Sequence, residues 1–255
     1  MTPPWLHVLD PKSYRLIYET LVRNYWNWLL SEKVDVPVGD YKDENDNTRK
    51  VLYMRMIYGY ANRWDVSSHE LKASRKNVSS LNRMGGPPNT PIKVEADTAI
   101  FLPVIDSCEG DFDRDVNGQP LTPEGMNYIL NRENEDVAIK INNGKIRPTI
   151  RKINENKSIL ETPGEIVNVK DLHGYLISVP GDDEGTFPLE VPDTSRLAQS
   201  LEFEIAKGQT YNARAEGTYI IFTLEPGKYQ IRSSAEGLRE YKSFMNYYVE
   251  VEVKK

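Results

Sequence analysis

Asp113, Asp115, Asn117, Gly118 and Glu124 stand in the pattern D-x-D-x-N-G-x5-E. That is the spacing of a calcium-binding loop. Oxygens at the first, third and fifth positions converge, glycine allows the sharp turn, and the twelfth residue supplies a bidentate carboxylate. Two prolines argue the other way. Pro120 stands where such loops carry an aliphatic residue that pairs with a neighbouring loop, and Pro123 directly precedes the closing Glu124. The flanks read as a strand and a short turn, without two long helices. The alternative is a solvated acidic loop.

Other chemistry is thinner. His7, His69 and His173 are far apart and form no HxH or HExxH spacing, so a metal hydrolase would need all three to converge by folding. No GxSxG, P-loop or GxGxxG occurs, and no Ser or Thr stands in a nucleophile setting. Asp182-Asp183-Glu184 is a carboxylate run. Paired carboxylates hydrolyse glycosides at separations of about 5 to 9.5 Å, which neighbours on a Pro/Gly loop do not establish. Trp26 and Trp28 in the cluster Tyr25-Trp26-Asn27-Trp28, together with Trp5 and Trp64, are candidates to stack on sugar rings. The plainer expectation for the cluster is a helix end packed on a sheet. Cys108 is the single cysteine, so no internal disulfide or cysteine zinc cluster forms; a buried, inert thiol is expected. Asn77 and Asn156 head glycosylation sequons, which matter only in a secreted chain.

The charge balance is 32 basic against 38 acidic residues, a net −6. Mild acidity aids solubility and argues against a broad nucleic-acid surface. No apolar run approaches the length of a membrane-spanning helix. The first residues, Met-Thr-Pro-Pro-Trp-Leu-His, lack a basic and an apolar region, so no signal peptide is visible. Either the protein works without such export or the sequence starts after a removed signal.

The elements that must position these residues follow from periodicity. Tyr14, Ile17, Tyr18, Leu21, Tyr25, Trp28 and Leu29 recur at helical spacing, predicting an amphipathic helix from Pro11 to Leu30 with Arg15, Glu19, Arg23 and Asn27 outside. Asp10 is placed to cap it and Pro11 to open it. Residues 35–50 are polar and read as a loop, 51–60 as a strand, 68–75 as a short helix, and 84–91 as irregular backbone. Strands are expected at 92–95, 99–105, 138–141, 145–147, 166–169, 172–179, 201–205 and 247–253. Pro103 lies inside the second of these, predicting an edge or a bulge. Residues 106–124 read as an acidic loop, 125–131 as one or two helical turns, and 180–192 as a long loop. The clearest signal is Gly217 to Ser233: Glu225-Pro226-Gly227-Lys228 between two β-rich runs predicts a type II turn and a hairpin. Its first strand, apolar on both faces, belongs inside a sheet; its second has one wet face.

The expected fold is mainly β: an antiparallel β-sandwich, jelly-roll or immunoglobulin-like, preceded by an N-terminal amphipathic helix. Residues 1–91 form a helical and irregular segment packed on the sheet, and residues 92–255 the sandwich, in one compact unit.

Tyr25 to Leu30, Gly85-Gly86, Ala99 to Asp106, Ile141 to Ile146, Gly217 to Ile231 and Tyr247 to Val253 follow one another in an order that resembles a family of uncharacterised bacterial proteins, mostly exported. The resemblance implies a β-sandwich and an extracytoplasmic or particle-surface location, and brings no catalytic residues. The chain departs from that family in lacking a visible signal peptide and extra cysteines.

These readings point to a non-enzymatic protein that works through its surface. It is either a structural or interaction protein of an envelope or a particle such as a virion, with protein partners or self-assembly, or a carbohydrate-binding module ordered by calcium. A hydrolase with an unrecognised site is the third alternative.

Overall fold

A computed structural model describes residues 2–31, 38–54, 62–65, 70–73, 92–115, 117–131, 149–153, 166–168, 175–179, 185–195, 205–238 and 241–254. In chain order the elements are β1 (Leu6–Val8), α1 (Arg15–Leu30), β2 (Val38–Lys42), β3 (Thr48–Tyr53), β4 (Asn62–Asp65), β5 (Glu70–Ala73), β6 (Ile92–Val94), β7 (Ala99–Gly110), β8 (Thr149–Ile153), β9 (Ile166–Asn168), β10 (Tyr175–Val179), β11 (Phe187–Val191), β12 (Gln209–Leu224), β13 (Gly227–Leu238) and β14 (Tyr241–Val253). Residues 123–131 add a short helix.

The chain is mainly β, and its strands form two main sheets. The first runs β1-β12-β7-β3-β2, with β10 and β11 also pairing β12; the second runs β6-β14-β13-β8-β9. A third pair joins β4 to β5. The pairing is not purely antiparallel as expected: β3 runs parallel to β7, and β6 parallel to β14. β1, β2 and β3 come from before residue 91 and are members of the first sheet, so that segment does more than pack on it.

Two apolar clusters organise the layers. Leu52, Ile100, Leu102, Ile220, Phe222 and Leu224 of the first sheet meet Val94, Ile150, Tyr229, Ile231, Val251 and Val253 of the second. On the other face of the first sheet, Phe101, Tyr219 and Ile221 meet Tyr18, Leu21, Tyr25 and Trp26 of α1. The order is therefore helix, sheet, sheet. β12 is buried on both faces because it is the middle layer's central strand, as its unbroken apolar run requires.

The Gly217 to Ser233 hairpin is the main correction. Both strands exist, but they do not pair. β12 bonds β7 on one side and β1, β10 and β11 on the other. β13 bonds β14 and β8. Pro226-Gly227 is thus a corner between sheets, with Gly227 at φ +154 and its approach tied by Glu225 N–H to Trp5 O at 3.1 Å.

Other differences have local reasons. α1 starts at Arg15 with no side-chain cap, because the Asp10 carboxylate instead accepts from Lys12 N and Ser13 Oγ in the preceding turn. Residues 38–50, where a loop was expected, form β2 and the first part of β3 around a turn, and β3 runs on into the strand expected at 51–60. The short helix expected at 68–75 is replaced in part by β5. β11 lies inside the expected long loop; Phe187, Leu189 and Val191 are buried at alternating positions despite Pro188. β8 was not anticipated. The expected strands at 138–147 and the histidines His69 and His173 lie outside the described residues. None of the helices among the described residues is long and apolar enough to cross a membrane.

Candidate functional site

β7 and the loop after it carry most of the described groups that could do chemistry. Pro103 lies at a bulge, one of the two places expected for it. Thr218 faces Ile105 but Tyr219 faces Pro103, so β7 holds one extra residue there. An extra residue reverses the faces of everything beyond it. Ile100 and Leu102 face the second sheet. Past the bulge, Cys108 packs on the helix-side cluster, and Asp106, two residues before it, turns to the same side. Asp106 is 6% exposed, and burial pushes its carboxyl up to about 7. Tyr219 lies close by; burial first, then the nearby Asp106 charge, drives its hydroxyl well above the ordinary range. Burial likewise pushes the Cys108 thiol well up, which fits an inert thiol.

On the opposite face, Glu109 stands in register with Arg214 of β12. Arg214 and Glu216 are buried, and Arg214 Nη1 donates to Gly185 O. Sequence reasoning missed this group. Its trace is Ala213-Arg214-Ala215-Glu216-Gly217, which alternates small and charged residues directly before the apolar run. Such alternation reads as a strand continuing upstream.

The acidic loop begins where β7 ends. Asp113 donates its N–H to Gly110 O at 3.0 Å, its Oδ2 accepts from Gly110 N at 3.3 Å, and its carbonyl accepts from Leu121 N at 3.0 Å. Burial raises the Asp113 carboxyl, and hydrogen bonds from Glu109 and the Gly110 N–H pull it part of the way back. Asp115 closes the tip. Its Oδ1 accepts from Asn117 N and Gln119 N, each at 2.8 Å, and its Oδ2 from Asn117 Nδ2 at 3.4 Å. The Gln119 N–H, then that of Asn117, lowers its carboxyl below the usual range. Gly118 takes φ +77, as the turn requires. Phe112 is buried against Tyr211 with ring centroids 5.4 Å apart.

Thr122 caps the helix over 123–131: its Oγ1 accepts from Gly125 N at 3.3 Å. Pro123 follows in the position where a missing N–H costs nothing. Glu124 therefore lies in the first helical turn, its carboxyl lowered by its own N–H and by Thr122. Asp113, Asp115, Asn117 and Glu124 are all on this one loop and helix start. Among the described residues, no three carboxylate, imidazole or thiol groups are placed to hold a metal ion.

Trp26 is 7% exposed and Trp5 4%, which leaves neither indole an open face. Trp28 is half-buried and stacks on Tyr53, with centroids 5.3 Å apart at 25°. Trp64 lies in β4 opposite Leu71. His7 lies in β1 opposite Thr223.

No protein-family model, no curated protein and no solved structure matches this chain.

Proposed function

We propose that this chain is a non-catalytic protein that works through its surface, as a structural or interaction protein of an envelope or of a particle such as a virion. The fold that goes with this reading is a β-sandwich of jelly-roll or immunoglobulin-like type with a helix on its outer side; the apolar cluster shared by the two sheets supports it.

One observation carries the functional reading: surface loops are stiffened by their own aspartates. Asp43 accepts from Asn45 N, Asn47 N and Asn47 Nδ2, and pairs Arg49 at 3.0 Å; Arg49 first, then those donors, hold its carboxyl at about 2. Asp111 accepts from Asn212 N and Nδ2 at 3.1 and 2.9 Å. Asp115 closes its own turn as described. Loops already ordered lose less conformational freedom when a partner docks. Carboxylates so engaged serve the shape of the surface.

Static light scattering over a concentration series tests this. A mass of several chains supports self-assembly. A monomer at every concentration, with no retention of a protein partner, overturns the reading.

A second reading, a carbohydrate-binding module ordered by calcium, has one observation behind it: the capped helix sets Glu124 directly after the D-x-D-x-N-G turn. Calcium would have to draw Asp113, Asp115 and Glu124 together. A melting temperature that rises with calcium, and no longer does so in Asp113→Ala, supports it; no rise with calcium overturns it.

A further inference from the structure

We propose that β2 is the edge at which two copies of this chain join, by antiparallel strand addition about a two-fold axis beside Tyr41. The proposal rests on the reading above that the protein assembles through its surface. Among the described residues, β2 is the last strand of the first sheet and has one neighbour, β3. Its pairing with β3 shows no register shift and its sequence, VGDYK, holds no proline. The open side therefore lacks two of the devices that guard a sheet edge, a bulge and a proline.

Backbone direction decides which residues a partner strand meets. At the turn, Asp43 N donates to Asn47 O at 3.0 Å, in the same register as the β2–β3 pairs. Asp43, and with it Tyr41 and Gly39, thus directs its amide at β3. Val38, Asp40 and Lys42 direct theirs outward. Two antiparallel copies of that row meet in few registers. With the axis at Asp40, like charges stand face to face. With the axis at Tyr41, Asp40 of each copy stands opposite Lys42 of the other. Each of those two pairs then closes two backbone hydrogen bonds and sets opposite charges side by side.

The side chains suit that register. Asp40 and Lys42 lie on one face of β2, with side chains 55% and 57% exposed. Within its own chain Asp40 pairs Lys50 at 2.7 Å, and Lys42 reaches the Asp46 carboxylate at 3.5 Å and its carbonyl at 2.9 Å. The edge is thus charge-balanced and does not repel its own copy. Tyr41 points to the other face and is buried in the helix-side cluster. Directly opposite residues share a face, so the joined sheet would carry both helices on the same side.

Sedimentation velocity over a concentration series tests the edge, on the natural protein, on Asp40→Lys, on Lys42→Asp, and on an equimolar mixture of the two variants. The natural protein should dimerise. Each variant alone replaces two opposite-charge pairs by two like-charge pairs, so its dissociation constant should rise about tenfold or more. The mixture should dimerise again, because each chain then meets its opposite. The double variant Asp40→Lys/Lys42→Asp should do the same within one chain, and serves if a single variant does not fold. Self-association that is equal in the natural protein and both single variants overturns this edge and leaves the surface reading standing. A natural protein that is monomeric at every concentration also overturns the edge; retention of another protein partner then decides the surface reading separately.

Discussion

The hydroxyl of Tyr18 accepts the backbone N–H of Ile221 at 3.0 Å and donates to Leu9 O at 2.9 Å. It fills a gap in the first sheet. Along that edge of β12, pairing with β10 stops at Tyr219 and pairing with β1 starts at Phe222, and Leu9 N bonds Ile221 O between them. A helix side chain thus satisfies a buried strand amide that has no neighbouring strand there.

Tyr18→Phe should therefore cost about 1–3 kcal/mol of stability, because it leaves a buried N–H and the part-buried Leu9 C=O without that hydroxyl. Urea unfolding measures it. A loss below about 0.5 kcal/mol would mean the two groups find other partners.

Asn27 does the same work at the other end of the helix. It was expected on the outer face, yet its Oδ1 accepts from Glu190 N at 2.8 Å and its Nδ2 donates to Pro188 O at 3.4 Å. Asn27→Ala should destabilise by about 1 kcal/mol and raise hydrogen exchange in β11. Exchange unchanged in β11 would show that α1 does not hold that strand.

Asp106 makes a pH prediction. Its carboxyl moves from 3.8 to about 7 on folding, so the folded chain holds the proton more tightly than the unfolded one. The stability this contributes is fully present below about pH 4 and is lost as pH rises through about 7. Asp106→Asn cannot ionise, so its melting temperature relative to the natural protein should rise between about pH 4 and about pH 8. A difference constant with pH would show that burial does not control this group.

Gly110 is required by a close approach. A Cβ there would lie 2.2 Å from Phe112 Cε1, and that ring is buried. Gly110→Ala should cost about 1–3 kcal/mol by displacing the ring. Combining it with Phe112→Leu should recover part of the loss; no recovery would place the strain elsewhere.

The candidate site was legible where its chemistry is local. The D-x-D-x-N-G run announced a tight turn, and Asp115, Asn117 and Gly118 make one. A short helix was expected near 125–131, and Thr122 and Pro123 start it two residues earlier. Glu109, Arg214 and Glu216 were not legible, because their juxtaposition depends on which strand lies beside β7. Asp106 reads in the sequence as a loop residue. Its place under the helix depends on the bulge beside Pro103, which reverses the faces of β7 only once β12 sets the register.

The run from Gly217 to Ile231 separates the two kinds of information. Two strands joined at Pro226-Gly227, the first of them buried on both faces, were determined by the sequence, because β-branched side chains, the fixed φ of proline and the freedom of glycine act within a few residues; the type II turn expected between them is instead a corner, with Gly227 at φ +154. Whether those strands pair with each other was decided only by the tertiary structure. A turn directs the chain but does not say which backbone edges remain open. With β7 on one side of β12 and β1, β10 and β11 on the other, β13 had no edge left to join and went to the second sheet.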